Sequence, residues 1–190
     1  IRIRPETKGW NWQVKVLDDP EMVNAWCMAG GKMAIYTGLL EQIQPTDDEL
    51  AQVMGHEIAH ALAKHQTEKM SVALATQLGV GIIAATQEDP ALAQSVGLTA
   101  ATVAISLPNS RVSESDADRI GIELAARAGY DPNAAVSLWQ KMKKLSGGGD
   151  FDWLSTHPSP KRRIETLQSY VPKMMPLYRQ ARSGQRPSFT

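Results

Sequence analysis

A chain of 190 residues whose 20 basic side chains balance 20 acidic ones carries no net charge to hold a polyanion, so nothing in its composition suggests a nucleic-acid surface. The length supports one good hydrophobic core and is short for two. Cys27 is the only cysteine, which excludes an internal disulfide.

In chain order, Asn24-Ala25-Trp26-Cys27-Met28 and Lys32-Met33-Ala34-Ile35-Tyr36 flank Ala29-Gly30-Gly31, which predicts a β-hairpin with a glycine turn. Cys27 lies on one of its strands and reads as a small core residue more than as a nucleophile. Thr37-Gly38-Leu39-Leu40 starts a helix, and Thr46-Asp47-Asp48-Glu49 is a capping box that opens a second. From Leu50 to Ala63 only Gln52, Gly55, His56, Glu57 and His60 are not plainly apolar, so this second helix is expected to be buried around most of its circumference.

Within that helix lies His56-Glu57-Ile58-Ala59-His60, an HExxH sequence. Imidazoles four residues apart leave one helical face about 6 Å apart along the axis, the bite that a single zinc ion needs. The glutamate between them sits where a carboxylate can take a proton from a metal-bound water, the signature of a metallopeptidase. Two histidines and a glutamate in a dry interior also need partners, since buried polar groups left unpaired cost several kcal/mol.

A third ligand has two sources. The HExxHxxGxxH pattern fails, because Gln66 stands at its last histidine and Ala63 at its glycine. At 100° per residue His65 points about 180° from His56 and about 140° from His60, so it is expected to be a surface residue or to lie behind the ligands. That leaves His157 or a carboxylate. Between the two metal-binding regions, Ser71 to Ala85 and Pro90 to Leu107 are rich in alanine and small apolar residues and predict a helical hairpin. Packing into the core is favoured for it over an apolar surface offered to a partner or bilayer. Ser71 to Ala85 contains Gln77 and falls short of the roughly 20 residues a membrane span requires.

The best carboxylate lies in the helical segment Ser110 to Glu123. Asp116, Arg119, Glu123 and Arg127 have partners of opposite sign three or four residues away and read as a solvated face. Glu114 and Asp118 share a face with Gly121 and Ala125, where a bare carboxylate is expensive. Glu114 is therefore assigned as the third zinc ligand. Asp118, one turn on, becomes the acceptor for the ring N–H of a ligand histidine, with a salt bridge to a basic residue as its alternative.

Asp131-Pro132 opens a later helix, and Ser146-Gly147-Gly148-Gly149 predicts a mobile connection before His157. Ser159-Pro160 then supplies an N-cap and a first-turn proline for the next helix. A histidine on a loop above a metal can donate to a developing oxyanion or take the fourth coordination position; alternatively His157 caps a local turn. Ser183-Gly184-Gln185-Arg186-Pro187 reads as a disordered tail.

Val53-Met54-Gly55-His56-Glu57-Ile58-Ala59-His60, Glu114-x-x-x-Asp118-Arg119-x-Gly121, Ala128-Gly129-Tyr130-Asp131-Pro132 and Thr156-His157-Pro158-Ser159-Pro160-x-x-Arg163, in that order, resemble the gluzincin metallopeptidases of the HtpX and CAAX prenyl protease superfamily. Within it the similarity points to the compact LoiP- and BepA-like envelope members and the mitochondrial Oma-type proteases. The resemblance implies a mostly helical, zincin-like α+β domain over residues 1–190, with a small antiparallel sheet or hairpin beside the HExxH helix. Residues 1–45 would hold the hairpin and first helix, 46–130 the catalytic helices with the helical hairpin, 131–175 the C-terminal helices and His157 loop, and 180–190 the tail. It also implies one zinc per chain, active-site roles for His157 and Arg163, and protein quality control in a bacterial periplasm or at a membrane. The chain begins at Ile1 without methionine or an apolar targeting segment, the pattern expected of a processed or trimmed chain.

Together these features predict a zinc endopeptidase acting on unfolded, misfolded or envelope proteins. Zinc held by His56, His60 and Glu114 activates a water, Glu57 takes its proton and returns it to the leaving amine, and His157 or Arg163 stabilises the oxyanion. Met33, Ala34, Ile35 and Tyr36 are the candidate substrate-binding strand, an edge that pairs with an extended peptide, unless they form an ordinary strand of the sheet. A competing function is an envelope assembly or holdase factor with a latent zinc site, closed by His157 as a permanent fourth ligand.

Overall fold

The computed structural model describes residues 7–101, 107–145, 157 and 162–184. Three short strands form one sheet: β1 (Gln13–Leu17), β2 (Ala25–Met28) and β3 (Lys32–Tyr36), in the order β1-β3-β2. The hairpin of β2 and β3 is antiparallel and turns through Gly30 and Gly31, at φ 93° and 82°, a region that only glycine enters without strain. β1 pairs parallel to β3, Gln13 opposite Lys32 through Leu17 opposite Tyr36, so the sheet is mixed and not purely antiparallel. This corrects the expected edge strand. Met33 to Tyr36 form the central strand, whose main chain is engaged on both sides.

Helix α1 (Thr37–Ile43) follows directly and ends on Gln44 in the left-handed region. The capping box then opens α2 (Asp47–Leu62): Thr46 Oγ1 accepts from the Glu49 N–H at 3.2 Å and Glu49 Oε2 from the Thr46 N–H at 2.9 Å. Glu49 also receives Ser137 Oγ at 2.7 Å and Lys141 Nζ at 2.6 Å, which ties the start of α2 to α6 (Asn133–Leu145). Asp131 opens α6 by accepting the Asn133 N–H at 2.8 Å.

α2 crosses α5 (Leu107–Arg127) with the backbones touching. A Cβ added to Gly55 would lie 2.6 Å from the Gly121 carbonyl oxygen, and one on Gly121 would lie 2.8 Å from the His56 nitrogen. Leu39, Val53, Ile122, Leu138, Met142 and Leu167 anchor the core between α1, α2, α5, α6 and α7 (Arg163–Arg182). Helix α7 extends to Arg182, with a turn at Ser183 and Gly184, because Leu177 and Tyr178 still pack on that core. The expected tail is thus helical from 180 to 182; Gln185, Arg186 and Pro187 lie outside the described residues, as do Ser146 to Gly149 and Ser159-Pro160.

The helical hairpin forms as α3 (His65–Ala84) and α4 (Pro90–Ala101), but among the described side chains only His65 and Ala84, at the two ends of α3, are buried. Its small residues let the two helices approach each other, with Gly97 set against Val80, and the larger ones turn outward. Met70, Leu74, Leu78 and Ile82 are each more than half exposed, and α4 buries none of its residues. No described helix is long and apolar enough to cross a membrane.

Candidate metal centre

His56 and His60 are buried one turn apart on α2 with their Nε2 atoms 3.1 Å from each other. Glu114, fully buried on α5, faces both: Oε2 lies 3.2 Å from His56 Nε2 and Oε1 3.3 Å from His60 Nε2. His157 completes the group, with Nδ1 3.2 Å from Glu114 Oε1 and 3.4 Å from His56 Nε2. One donor atom from each of His56, His60, Glu114 and His157 lies within 4.8 Å of all the others. This donor set fits a divalent metal: two imidazole nitrogens and a carboxylate, the ligand types of zinc sites, converge on one point in a dry interior. The crossing at Gly55 and Gly121 is what brings the α5 carboxylate within reach of the α2 histidines.

The charges follow from these contacts. Burial opposes a cationic His56, yet hydrogen bonds to Asp118 and Glu114 on its two ring nitrogens push it up to about 9. Burial brings His60 down to about 3; the hydrogen bond to Glu114 works against this and the neighbouring His56 and His157 add to it. Burial works against ionised Glu114, but hydrogen bonds from His157, His56 and His60 outweigh it and hold the carboxyl far below the usual range. Glu57 lies beside the donor set, almost fully buried, with Oε1 3.4 Å from His157 Nε2. Cys27, the nearby thiol on β2, is pushed up to about 12 by burial and by the charge of Glu57, consistent with a small core residue.

Asp118 has both partners that its position allowed. Its Oδ1 lies 3.1 Å from His56 Nδ1 and accepts from Arg163 Nη2 at 2.5 Å. Arg163 is buried, and its other amino group lies 3.5 Å from Glu114 Oε2. Its guanidinium stacks over the Trp139 ring, 3.8 Å from the centroid. Arg163 thus meets His56 on its Nδ1 side, 3.3 Å from that nitrogen, while also reaching the Glu114 carboxylate.

One residue near the centre was not legible in the sequence. Trp139 reads as an ordinary core aromatic of α6, since no local pattern links it to an arginine on α7. His65 takes the second of its two expected places, behind the ligands, with its Nδ1 3.0 Å from that of His60, although helical spacing points it away from that ring. The wheel fails there because α2 stops at Leu62 and Lys64 turns left-handed at φ 58°. β2 is the strand that packs most closely on α2, and among the described residues it pairs on one side only.

A buried HExxH helix crossed by a helix that delivers a carboxylate defines a gluzincin-type metallopeptidase domain. Residues 3–171 match Peptidase family M48, and the chain belongs to that family. It is 36% identical over 179 residues to the Arabidopsis thaliana protein named Mitochondrial metalloendopeptidase OMA1, covering 93% of this chain and 36% of that one. It is 28% identical over 162 residues to Metalloprotease YcaL of Escherichia coli (strain K12), covering 85% of this chain and 62% of the relative. A Vibrio cholerae protein named Putative beta-barrel assembly-enhancing protease is 29% identical over 163 residues, 79% of this chain and 34% of its own length. The chain therefore spans about a third to two thirds of these relatives.

Proposed function

We propose that this domain is a zinc-dependent metalloendopeptidase, with one zinc held by His56, His60 and Glu114 and with Glu57 as general base. The convergence of four donor atoms within 4.8 Å, with the Glu57 carboxylate beside them, carries this reading. Bound there, the zinc would activate a water and polarise the scissile carbonyl. Glu57 accepts the proton of the attacking water and returns it to the leaving amine. Its burial keeps the carboxylate aimed at the donor set. His157 donates a ring N–H toward the oxygen on which negative charge develops. Arg163 and Asp118 hold His56 in orientation from behind.

Substrates of this domain are unfolded or misfolded protein segments, including envelope or membrane proteins, and no nucleic acid. The side of β2 that is unpaired among the described residues suits an extended peptide paired through main-chain hydrogen bonds. The names of the relatives, mitochondrial for one and β-barrel-assembly-enhancing for another, support a membrane-associated or bacterial envelope setting. A second reading rests on His157 Nδ1, which reaches Glu114 and His56: as a fourth ligand it would block the site at rest, leaving a latent enzyme or an assembly factor.

Casein hydrolysis by the zinc-loaded chain tests both. Activity lost on chelation and lowered by a factor of about 10² to 10⁴ in Glu57→Gln is the expected result. Undiminished hydrolysis by Glu57→Gln would sink the mechanism. An inert parent that becomes active as His157→Ala would establish the latch.

A further inference from the structure

His65 is the one histidine of the chain outside the donor set, and it is nearly as buried as the ligands. His60 turns Nε2 toward Glu114 and His56, so a metal on that nitrogen leaves Nδ1 to carry the ring hydrogen. A buried N–H requires an acceptor. For His56 the corresponding nitrogen faces the carboxylate of Asp118 at 3.1 Å. For His60 the partner is His65 Nδ1 at 3.0 Å, with ring centroids 5.1 Å apart and planes at 75°. That edge-on geometry lets one ring donate in the plane of the other's lone pair.

The backbone accounts for this contact. A continuous helix would carry His65 about 140° away from His60. Here α2 ends at Leu62, Lys64 adopts φ 58°, and His65 starts α3 with its ring folded back over the last turn of α2. A lysine in the left-handed region is uncommon and costs on the order of 1 kcal/mol relative to glycine, so other contacts must hold this turn in place.

We propose that His65 is a positioning residue for the metal: His60 Nδ1–H donates to His65 Nδ1, which fixes the His60 tautomer with Nε2 open to the ion. The assignment rests on the metallopeptidase reading of the site. It makes the two ligand histidines unequal, one backed by a carboxylate and the other by a neutral imidazole. Their electron donation to the ion differs accordingly.

The test uses the full chain and zinc alone as ligand, with affinity measured by competition against a chromophoric chelator. The visible absorption of the cobalt-substituted protein reports ligand geometry. His65→Leu is expected to weaken zinc binding about 10- to 100-fold and to shift the cobalt bands. His65→Asn, which places an amide oxygen near the position of Nδ1, should recover most of both. Circular dichroism and a melt under saturating zinc check the fold, and if His65→Leu does not fold, His65→Ala replaces it. Should the variant lacking the acceptor bind zinc as the parent does, with unchanged cobalt bands, the proposal falls, even if the variant melts earlier. A parent that binds no zinc would overturn the metallopeptidase reading itself, and this proposal with it.

Discussion

Arg163 is buried among Glu114, Asp118 and His56, and the two carboxylates balance its charge there. A buried ion pair adds little net stability, because desolvation offsets attraction, but removing one partner strands the other. Arg163→Met should therefore destabilise the domain by about 3–5 kcal/mol in denaturant unfolding followed by tryptophan fluorescence. The double variant with Asp118→Asn should recover part of that loss, and strict additivity would show that the two residues are uncoupled. The pairing of His56 with His60, and the face shared by Glu114 and Asp118, were legible in the sequence because helical spacing fixes which side chains lie together. The resemblance carried Arg163 to the active site, and its place behind His56 depends on packing against Trp139, which no spacing encodes.

At the level of elements, the site depends on one helix crossing. Gly55 and Gly121 bring α2 and α5 into backbone contact, and Glu114 and Asp118 reach the histidines only at that separation. Gly121→Ala places a methyl group 2.8 Å from the His56 nitrogen, and backbone cannot yield as a side chain does. Overpacking of this kind costs about 1–3 kcal/mol and should weaken zinc binding together with stability. Gly81→Ala on α3 meets nothing within 4 Å and should be neutral or stabilising by up to about 1 kcal/mol. Thermal melts and zinc titration of the pair decide: equal behaviour would refute the role of the crossing. The capping box, the HExxH helix and the helical hairpin were all legible, since each is set by local chemistry. The parallel pairing of β1 and the outward face of α3 and α4 were not, because they depend on which distant segments meet.

On the scale of the whole molecule, the donor set links α2, α5 and the segment of His157, regions far apart in the sequence, whereas the α3 and α4 hairpin projects apolar side chains into solvent. Stability should be distributed in the same way. An ion that binds only the folded chain stabilises it by about 4 kcal/mol at a thousandfold excess over its dissociation constant, and each kcal/mol moves Tm by about 2–4 °C for a domain of this size. Chelation should therefore lower Tm by roughly 10 °C. Glu57→Gln should keep that zinc-dependent shift, since Glu57 serves the proton and not the ion, and Glu114→Ala should lose most of it. Leu78→Gln on the exposed face of the hairpin should change stability by no more than about 0.5 kcal/mol, with or without zinc. Scanning calorimetry of these three variants separates the roles. A chelator-independent Tm in the parent would mean that the three regions are held by packing alone, and a large loss in Leu78→Gln would mean that α3 is part of the core after all.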